Sequence, residues 1–494
     1  MGSAKFRLAR LSLVGVLAIG MTCVSAASAS AASKPVYAVT PITSEAGIDS
    51  AAFNSVGQIA LSIFQGSCCD DAGYWSNGKL KTLPLGLFCT TCGGFGGSAE
   101  GINAAGQIAG SVDYNGSPNY QPFREVASTG AVTLIPTLGG PDAFAHGING
   151  AGQVVGESET TSGADHAFLW NGSVVRDLGT FGGQNSVAWA TSATGQAVGC
   201  AETGGGRLHP FRYQAGVLRD LHVPQGMTDG CAISVNTSGA ILGFAVNASH
   251  PNACDVWIWR AGAFTIVPKE NNQCIITGQA SAGFPVFFSG GHIAANGQVV
   301  GGVNSATTGS PVPVVYQNGH DSIITGAQTP FDRESATGLN TAPGWYGAAS
   351  NNNLHGLISV LGQNDAGSNT LFLLTPIRIA DENSAAITYS TGWTRLALAG
   401  AYGGHIERAA SAGRTATFTF TGKSVSVIGV RGPGLGSAAV TVDGVPHGAV
   451  SEAGPAAVRR RLDTIYFASP GTHTLRITVK TGPFELDAIT VAPH

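Results

Sequence analysis

Charge is what this chain has least of: 11% of its 494 residues are Asp, Glu, Lys or Arg, against ~25% in an average soluble domain. Combined with 43% hydrophobic residues, that scarcity excludes a solvated, disordered tail, because the chain can bury a core. Cationic excess is missing too. The 25 Lys and Arg face 29 Asp and Glu, which excludes the basic footprint of a nucleic-acid binder. Beyond the N-terminus no stretch approaches ~18 uninterrupted apolar residues, so no membrane span is expected there. Gly-x-Ser-x-Gly, a phosphate loop and His-Glu-x-x-His are all absent, which removes the signatures of an α/β-hydrolase, a P-loop NTPase and a zincin.

The first 32 residues read as a secretory leader. Lys5, Arg7 and Arg10 form its basic start, Leu11 to Met21 its apolar stretch, and Ala29-Ser30-Ala31-Ala32 its small-residue cleavage region. Gly20-Met21-Thr22-Cys23 lacks the Leu-small-small-Cys pattern of a lipoprotein, so Cys23 is not expected to carry lipid. Without the leader the chain holds 22 basic and 29 acidic residues, a charge of about −7. Eight cysteines then remain, Cys68, Cys69, Cys89, Cys92, Cys200, Cys231, Cys254 and Cys274. An even number in an exported chain favours disulfides.

Internal self-similarity is the strongest signal. Its best copy runs His166-Ala167-Phe168-Leu169-Trp170, Asn171-Gly172, Asp177-Leu178-Gly179, Phe181-Gly182-Gly183 and Gly195-Gln196-Ala197-Val198-Gly199, which reads as four short strands separated by turns. Glycines 57, 106, 152, 195, 239, 297 and 344 mark seven copies at spacings of 43 to 58 residues, the period of blades with four strands each. Aromatic strands end at Trp75, Phe123, Trp170, Tyr213, Trp259, Tyr316 and Phe372. The chain opens on Tyr37 to Ile42, an outer strand without its partner, and closes the repeats on Leu371 to Leu374, an aromatic strand without its own. Joining the two removes exposed sheet edges. The expected fold is therefore all-β: a seven-bladed β-propeller of four-stranded repeats over residues 33–376, closed by its N- and C-terminal strands, with an open solenoid as the competitor.

These phrases, His-Ala-Phe-Leu-Trp, Asp-Leu-Gly-x-Phe-Gly-Gly and Ile148-Asn149-x-x-Gly152-Gln153-Val154-Val155-Gly156, resemble the extracellular HAF-repeat family of bacteria. The resemblance is strong from about 100 to 215 and worn between 270 and 345, where residues 276–292 form an insertion. It implies export and a repeat fold, and no reaction.

His166 and His209 open their aromatic strands and read as turn residues, since other copies lack them; no metal or cofactor is assigned. The Asn-x-x-Gly-Gln turns read as structural, with a left-handed Gly and Asn as acceptor. Cys254 with Cys274 would clamp one hairpin. Cys68 and Cys69 with Cys89 and Cys92 repeat that placement, a four-thiolate zinc site being the alternative. Cys200 and Cys231 are left as a pair. Glu45, Asp49, Glu100, Asp142, Asp332 and Glu334 precede equivalent strands, and hence share one rim where two acids could cleave a glycosidic bond. No spacing among them separates an acid from a nucleophile, so no catalytic residue is assigned.

Composition shifts after Pro376. Residues 377–494 carry a net +3, against −10 for the preceding repeats. Alternating strands at 416–420, 424–428, 439–442, 472–479 and 484–489, with turns at Thr421-Gly422, Asp443-Gly444 and Pro470-Gly471, predict an antiparallel β-sandwich. Ile387 to Trp393, Phe418 to Gly422, Val442-Asp443-Gly444, Gly471 to Leu475 and Leu486 to Ile489 resemble the galactose-binding-like jelly-roll modules of exported bacterial proteins. That resemblance implies carbohydrate binding, through an aromatic that stacks on sugar and polar loop groups. Trp393, Tyr402 and His405 are the candidate ligand-binding residues. Asp381, Glu382 and Asp487 are weighed as Ca²⁺ ligands and set aside, and Arg459-Arg460-Arg461 reads as a solvated strand face. The expected protein is secreted or periplasmic. It binds a glycan or cell-surface polysaccharide, with no nucleic-acid partner and no membrane span after leader removal; a secreted glycoside hydrolase or lyase is the alternative.

Overall fold

The computed structural model describes residues 37–43, 48–54, 58–64, 70–76, 79–83, 97–113, 119–267, 276–279, 285–287, 292–294, 297–304, 311–317, 320–323, 358–363 and 369–493. The leader, Glu45, Cys68, Cys69, Cys89, Cys92, Cys274, Asp332, Glu334 and the worn last glycine turn lie outside them. No described helix is long and apolar enough to cross a membrane.

The described chain is all-β, and its repeats form antiparallel sheets that resemble a propeller-type domain. Six four-stranded sheets follow the chain as simple meanders. One of them is Gly139–Ile148, Val154–Thr160, Asp165–Trp170 and Val175–Asp177; the next is Gly182–Thr191, Ala197–Thr203, Leu208–Gln214 and Val217–Asp220. Tyr37–Thr43, the first described strand, joins Asn369–Pro376 and Ile358–Gln363 in a three-stranded sheet, with Pro41 opposite Phe372. Ile276–Gln279 and Pro285–Phe287, inside the expected insertion, form a small pair of their own.

Apolar clusters lie between consecutive sheets. Ala109 and Ile135 pack on Val154, Phe168 and Trp170; Val155, Leu169 and Leu178 pack on Ala188, Ala197, Phe211 and Tyr213 of the next sheet. Both faces of the second strands are buried at their starts, as in Val154–Ser158. Polar latches accompany the packing. Asn54, Asn103 and Asn149 donate their side-chain N–H to the carbonyls of Asn103, Asn149 and Ser192, at 2.8, 2.9 and 2.9 Å. In the described turns the glycine is left-handed, from φ 72° at Gly106 to 80° at Gly297, a conformation that costs a side chain.

The aromatic repeat needs one correction. In the sheet containing Tyr120–Val126, the position equivalent to Trp170 is Glu125, opposite Ile108, whereas Phe123 faces Gly110 as Phe168 faces Gly156. Two aromatic ladders two residues apart, on one strand face, merge in sequence into one.

Beyond Pro376 lies a distinct nine-stranded antiparallel sheet. The Asp443-Gly444 turn is a tight hairpin with both residues left-handed, φ 53° and 79°, between Val442 and Val445. The other two expected turns do not end their strands. Thr415–Arg431 continues through Gly422 and Ala457–Thr481 through Gly471, but their pairing is interrupted there, jumping from Gly422 opposite Gly471 to Ser424 opposite Tyr466. A Cβ on Gly422 would sit 2.6 Å from the Ala492 carbonyl, so Gly422 permits close backbone approach inside a sheet, whereas at Gly471 a Cβ would meet the His473 ring at 3.0 Å. Thr415–Arg431 alternates in burial up to that point and is buried on both faces beyond it.

Candidate functional site

The three candidate ligand-binding residues do not meet. Trp393–Ala397 pairs with His405–Ala409 so that Trp393 faces Ala409 and Ala397 faces His405. Four residues of strand therefore separate the ends, about 13 Å. Trp393 is half-buried against the core, its ring 5.1 Å from Tyr389 and its indole N–H donated to the Thr415 carbonyl at 3.1 Å. It resembles a packing residue more than an exposed platform.

Tyr402 and His405 sit at the other end, in company the sequence did not announce. Arg378–Asp381 pairs with Phe484–Ala492, bringing Asp381 opposite Ala488 and beside Asp487. Asp487 is fully buried, and its Oδ1 accepts the Tyr402 backbone N–H at 2.8 Å. Gly403 and Gly404 are left-handed, and a Cβ on Gly403 would lie 2.9 Å from Asp381 Oδ2. Glycine therefore lets the 402–404 turn close over these carboxylates. His405 Nδ1 donates to the Gly403 carbonyl at 3.1 Å.

Glu382, also fully buried, is paired with Arg395 Nη2 at 2.8 Å. Arg395 stands opposite Glu407. Burial raises the carboxyls of Asp381 and Glu407 above their ordinary values, while Arg395 pulls both back down and His405 also lowers Asp381. The Tyr389 hydroxyl donates to the Glu382 carbonyl at 2.8 Å and is pushed upward, first by burial. With Glu382 and Asp487 committed inside, Asp381, Arg395, His405 and Glu407 form a charged shelf beside the 402–404 turn, while the Tyr402 ring packs on the apolar cluster of Ile428 and Ala488. Arg460 and Arg461 are half-buried opposite Gly429 and Ile428, away from the pattern of a continuous basic stripe.

On the repeats, Asp142 accepts the Tyr120 backbone N–H of the neighbouring sheet at 2.9 Å. Glu100 is half-buried within Gly97–Ile102. His166 and His209 each donate Nδ1 at 2.8 Å to the Asp 11 residues later, Asp177 and Asp220. The pairing is legible in the sequence only as a constant spacing of 11 residues between His and Asp. Cys200 and Cys231 are joined, and link Ala197–Thr203 to Met227–Val235 of the next sheet. Cys254 is disulfide-bonded as well, and Cys274 lies outside the described residues. Arg124 stacks 4.7 Å over Trp170 and Arg212 5.4 Å over Trp259, sheet-to-sheet contacts that the aromatic ladder alone did not reveal.

No family model and no curated protein matches the chain. Among solved structures it is similar to TolB from Acinetobacter baumannii, at 17% identity and TM-score 0.34, over 46% of this chain and 56% of that one. It is similar to the β-propeller domain of the Trilobed protease from Pyrococcus furiosus, at 8% identity and TM-score 0.44, over 67% and 95%. The acylaminoacyl peptidase of Pyrococcus horikoshii gives 10% identity and TM-score 0.42, over 76% and 58%. The chain thus spans little more than half the length of the TolB structure.

Proposed function

We propose that this is an exported, non-catalytic binding protein of the HAF-repeat type. Its repeats make a rigid seven-bladed ring over residues 33–376, and a galactose-binding-like sandwich over 377–494 holds a glycan. The pairing of Tyr37–Thr43 with Asn369–Pro376 supports the ring, because it supplies each end of the repeat region with the neighbour it lacks. The observation that carries the binding reading is the grouping of His405, Asp381, Arg395 and Glu407 beside the turn that carries Tyr402, whose backbone N–H is held by Asp487. Sugar hydroxyls would donate to the carboxylates and accept from Arg395, with Tyr402 against an apolar sugar face. Against the hydrolase reading stands Asp142, whose carboxylate is engaged as an inter-sheet latch.

A glycan array probed with the mature chain tests this. Retention of a defined glycan, lost in Tyr402→Ala and His405→Ala variants and kept in Trp393→Phe, is the expected result. If no glycan is retained, or if Trp393→Phe alone abolishes retention, the shelf is not the binding site.

A further inference from the structure

One turn of the repeat carries a residue its sister copy does not. In the sheet ending at Val175–Asp177, the turn runs Asp177-Leu178-Gly179; Gly179 is left-handed at φ 77° and donates its N–H to Asp177 Oδ1 at 2.7 Å. In the following sheet the same turn runs Asp220-Leu221-His222, and the His222 N–H donates to Asp220 Oδ1 at 2.6 Å. His222 adopts φ 58°, a left-handed conformation that a histidine rarely takes. Its strained backbone carries the imidazole back over the turn, with Nδ1 3.2 Å from Asp220 Oδ2. His209 Nδ1 reaches the same oxygen at 2.8 Å, and the two rings lie 6.0 Å apart, edge to face.

The ligand atoms of His209, Asp220 and His222 all lie within 4.8 Å of one another, the one such group of three among the described residues. Two imidazoles and a carboxylate make a nitrogen–oxygen donor set suited to zinc, nickel or copper ions in the divalent state, bound at about 2.0–2.2 Å. His222 is well exposed, with 75% of its side chain open to solvent, whereas His209 and Asp220 are largely enclosed at 22% each. Two ligands are thus held in place and the third can swing by the small amount needed. With Nδ1 as donor to the metal, each neutral ring keeps its hydrogen on Nε2, and the shared carboxylate oxygen turns from proton acceptor to ligand. The sister turn has the His–Asp pair but no third group, so it lacks this capacity.

We infer that His209, Asp220 and His222 form a three-ligand site for a divalent transition metal, open to solvent at its remaining positions. The site lies on the repeats, so it stands or falls independently of the glycan reading.

The test is calorimetric titration of Zn²⁺ into the chelator-treated mature chain, with Co²⁺ absorption as a second readout. The expected result is one saturable site whose affinity falls at least tenfold in His222→Gly, while His166→Ala leaves it unchanged. The glycine variant should fold, because Gly179 already serves in this turn, and its melting temperature should not fall. Should it unfold, His222→Asn tolerates the same backbone and removes the imidazole. Absence of Zn²⁺ binding by the unaltered chain overturns the inference. So does affinity left intact in both His222 variants.

Discussion

Phe168 stands directly opposite Gly156 across two neighbouring strands, and its Cε1 lies 2.9 Å from where a Cβ on that glycine would be. The same pairing recurs as Gly110 with Phe123, Gly199 with Phe211 and Gly243 with Trp257. On the other side of Gly156 the Phe144 carbonyl leaves no room for a methyl group. Gly156→Ala should therefore destabilise by about 3 kcal/mol through overpacking. Gly150→Ala, with nothing within 4 Å of its Cβ, should stay within about 0.5 kcal/mol of the unaltered chain. Thermal melting of both variants checks the contrast.

Asn103 accepts the backbone N–H groups of Ala105 and Gln107, each at 3.0 Å, and donates to Gln107 Oε1 and to the Asn149 carbonyl at 2.7 and 2.9 Å. Replacing it with Ala leaves buried groups unsatisfied and should cost about 3 kcal/mol. Ser occupies the equivalent position at 192 and still accepts from Gln196 N. Asn103→Ser should accordingly lose less than Asn103→Ala in the same denaturation measurement.

Cys200 and Cys231 are 31 residues apart in sequence, buried, and packed with Phe244 and Cys254. Constraining an unfolded loop of that length is worth about 3–4 kcal/mol. The double variant Cys200→Ala with Cys231→Ala should melt lower by a corresponding amount, and reductant should then shift its melting less than that of the unaltered chain.

Glu452 is fully buried and its Oε2 accepts the Glu485 N–H at 2.8 Å. Burial pushes its carboxyl up to about 8, against the opposing pull of the Glu485 and Val430 backbone N–H groups and Arg408. The folded chain then holds a proton that the unfolded chain releases above about 4.5. Stability should fall as pH rises from about 5 to 8, by at most about 1.4 kcal/mol per pH unit from this group. Glu452→Gln, which keeps an acceptor for Glu485 N–H, should flatten that slope in melting curves recorded across the same range.

Much of the local structure was legible because glycine and period-2 patterns report backbone needs directly. Asp443-Gly444 states a two-residue hairpin by composition alone, and the repeated Gly-Gln turns state a left-handed residue at each glycine. Gly422 misled for the same reason: a glycine that breaks a strand and one that lets two strands approach look identical until the facing strand is known. The shelf around Tyr402 was half legible. An aromatic and a histidine flanking two glycines suggested a loop, but Asp487 lies 85 residues beyond Tyr402, and no short-range pattern ties them.

By itself, the order of residues determined the all-β character, the repeat with its period of 43 to 58 residues and the change of architecture after Pro376. These depend on alternation, turn chemistry and self-similarity, all local along the chain. Only the tertiary structure decided that Glu125 fills an aromatic position, that Trp393 and His405 stand at opposite ends of one ladder, and that His222 bends back toward His209. Alternation says which face of a strand is buried; what lies against that face is set by the register of a distant strand, on which neighbouring residues carry no information.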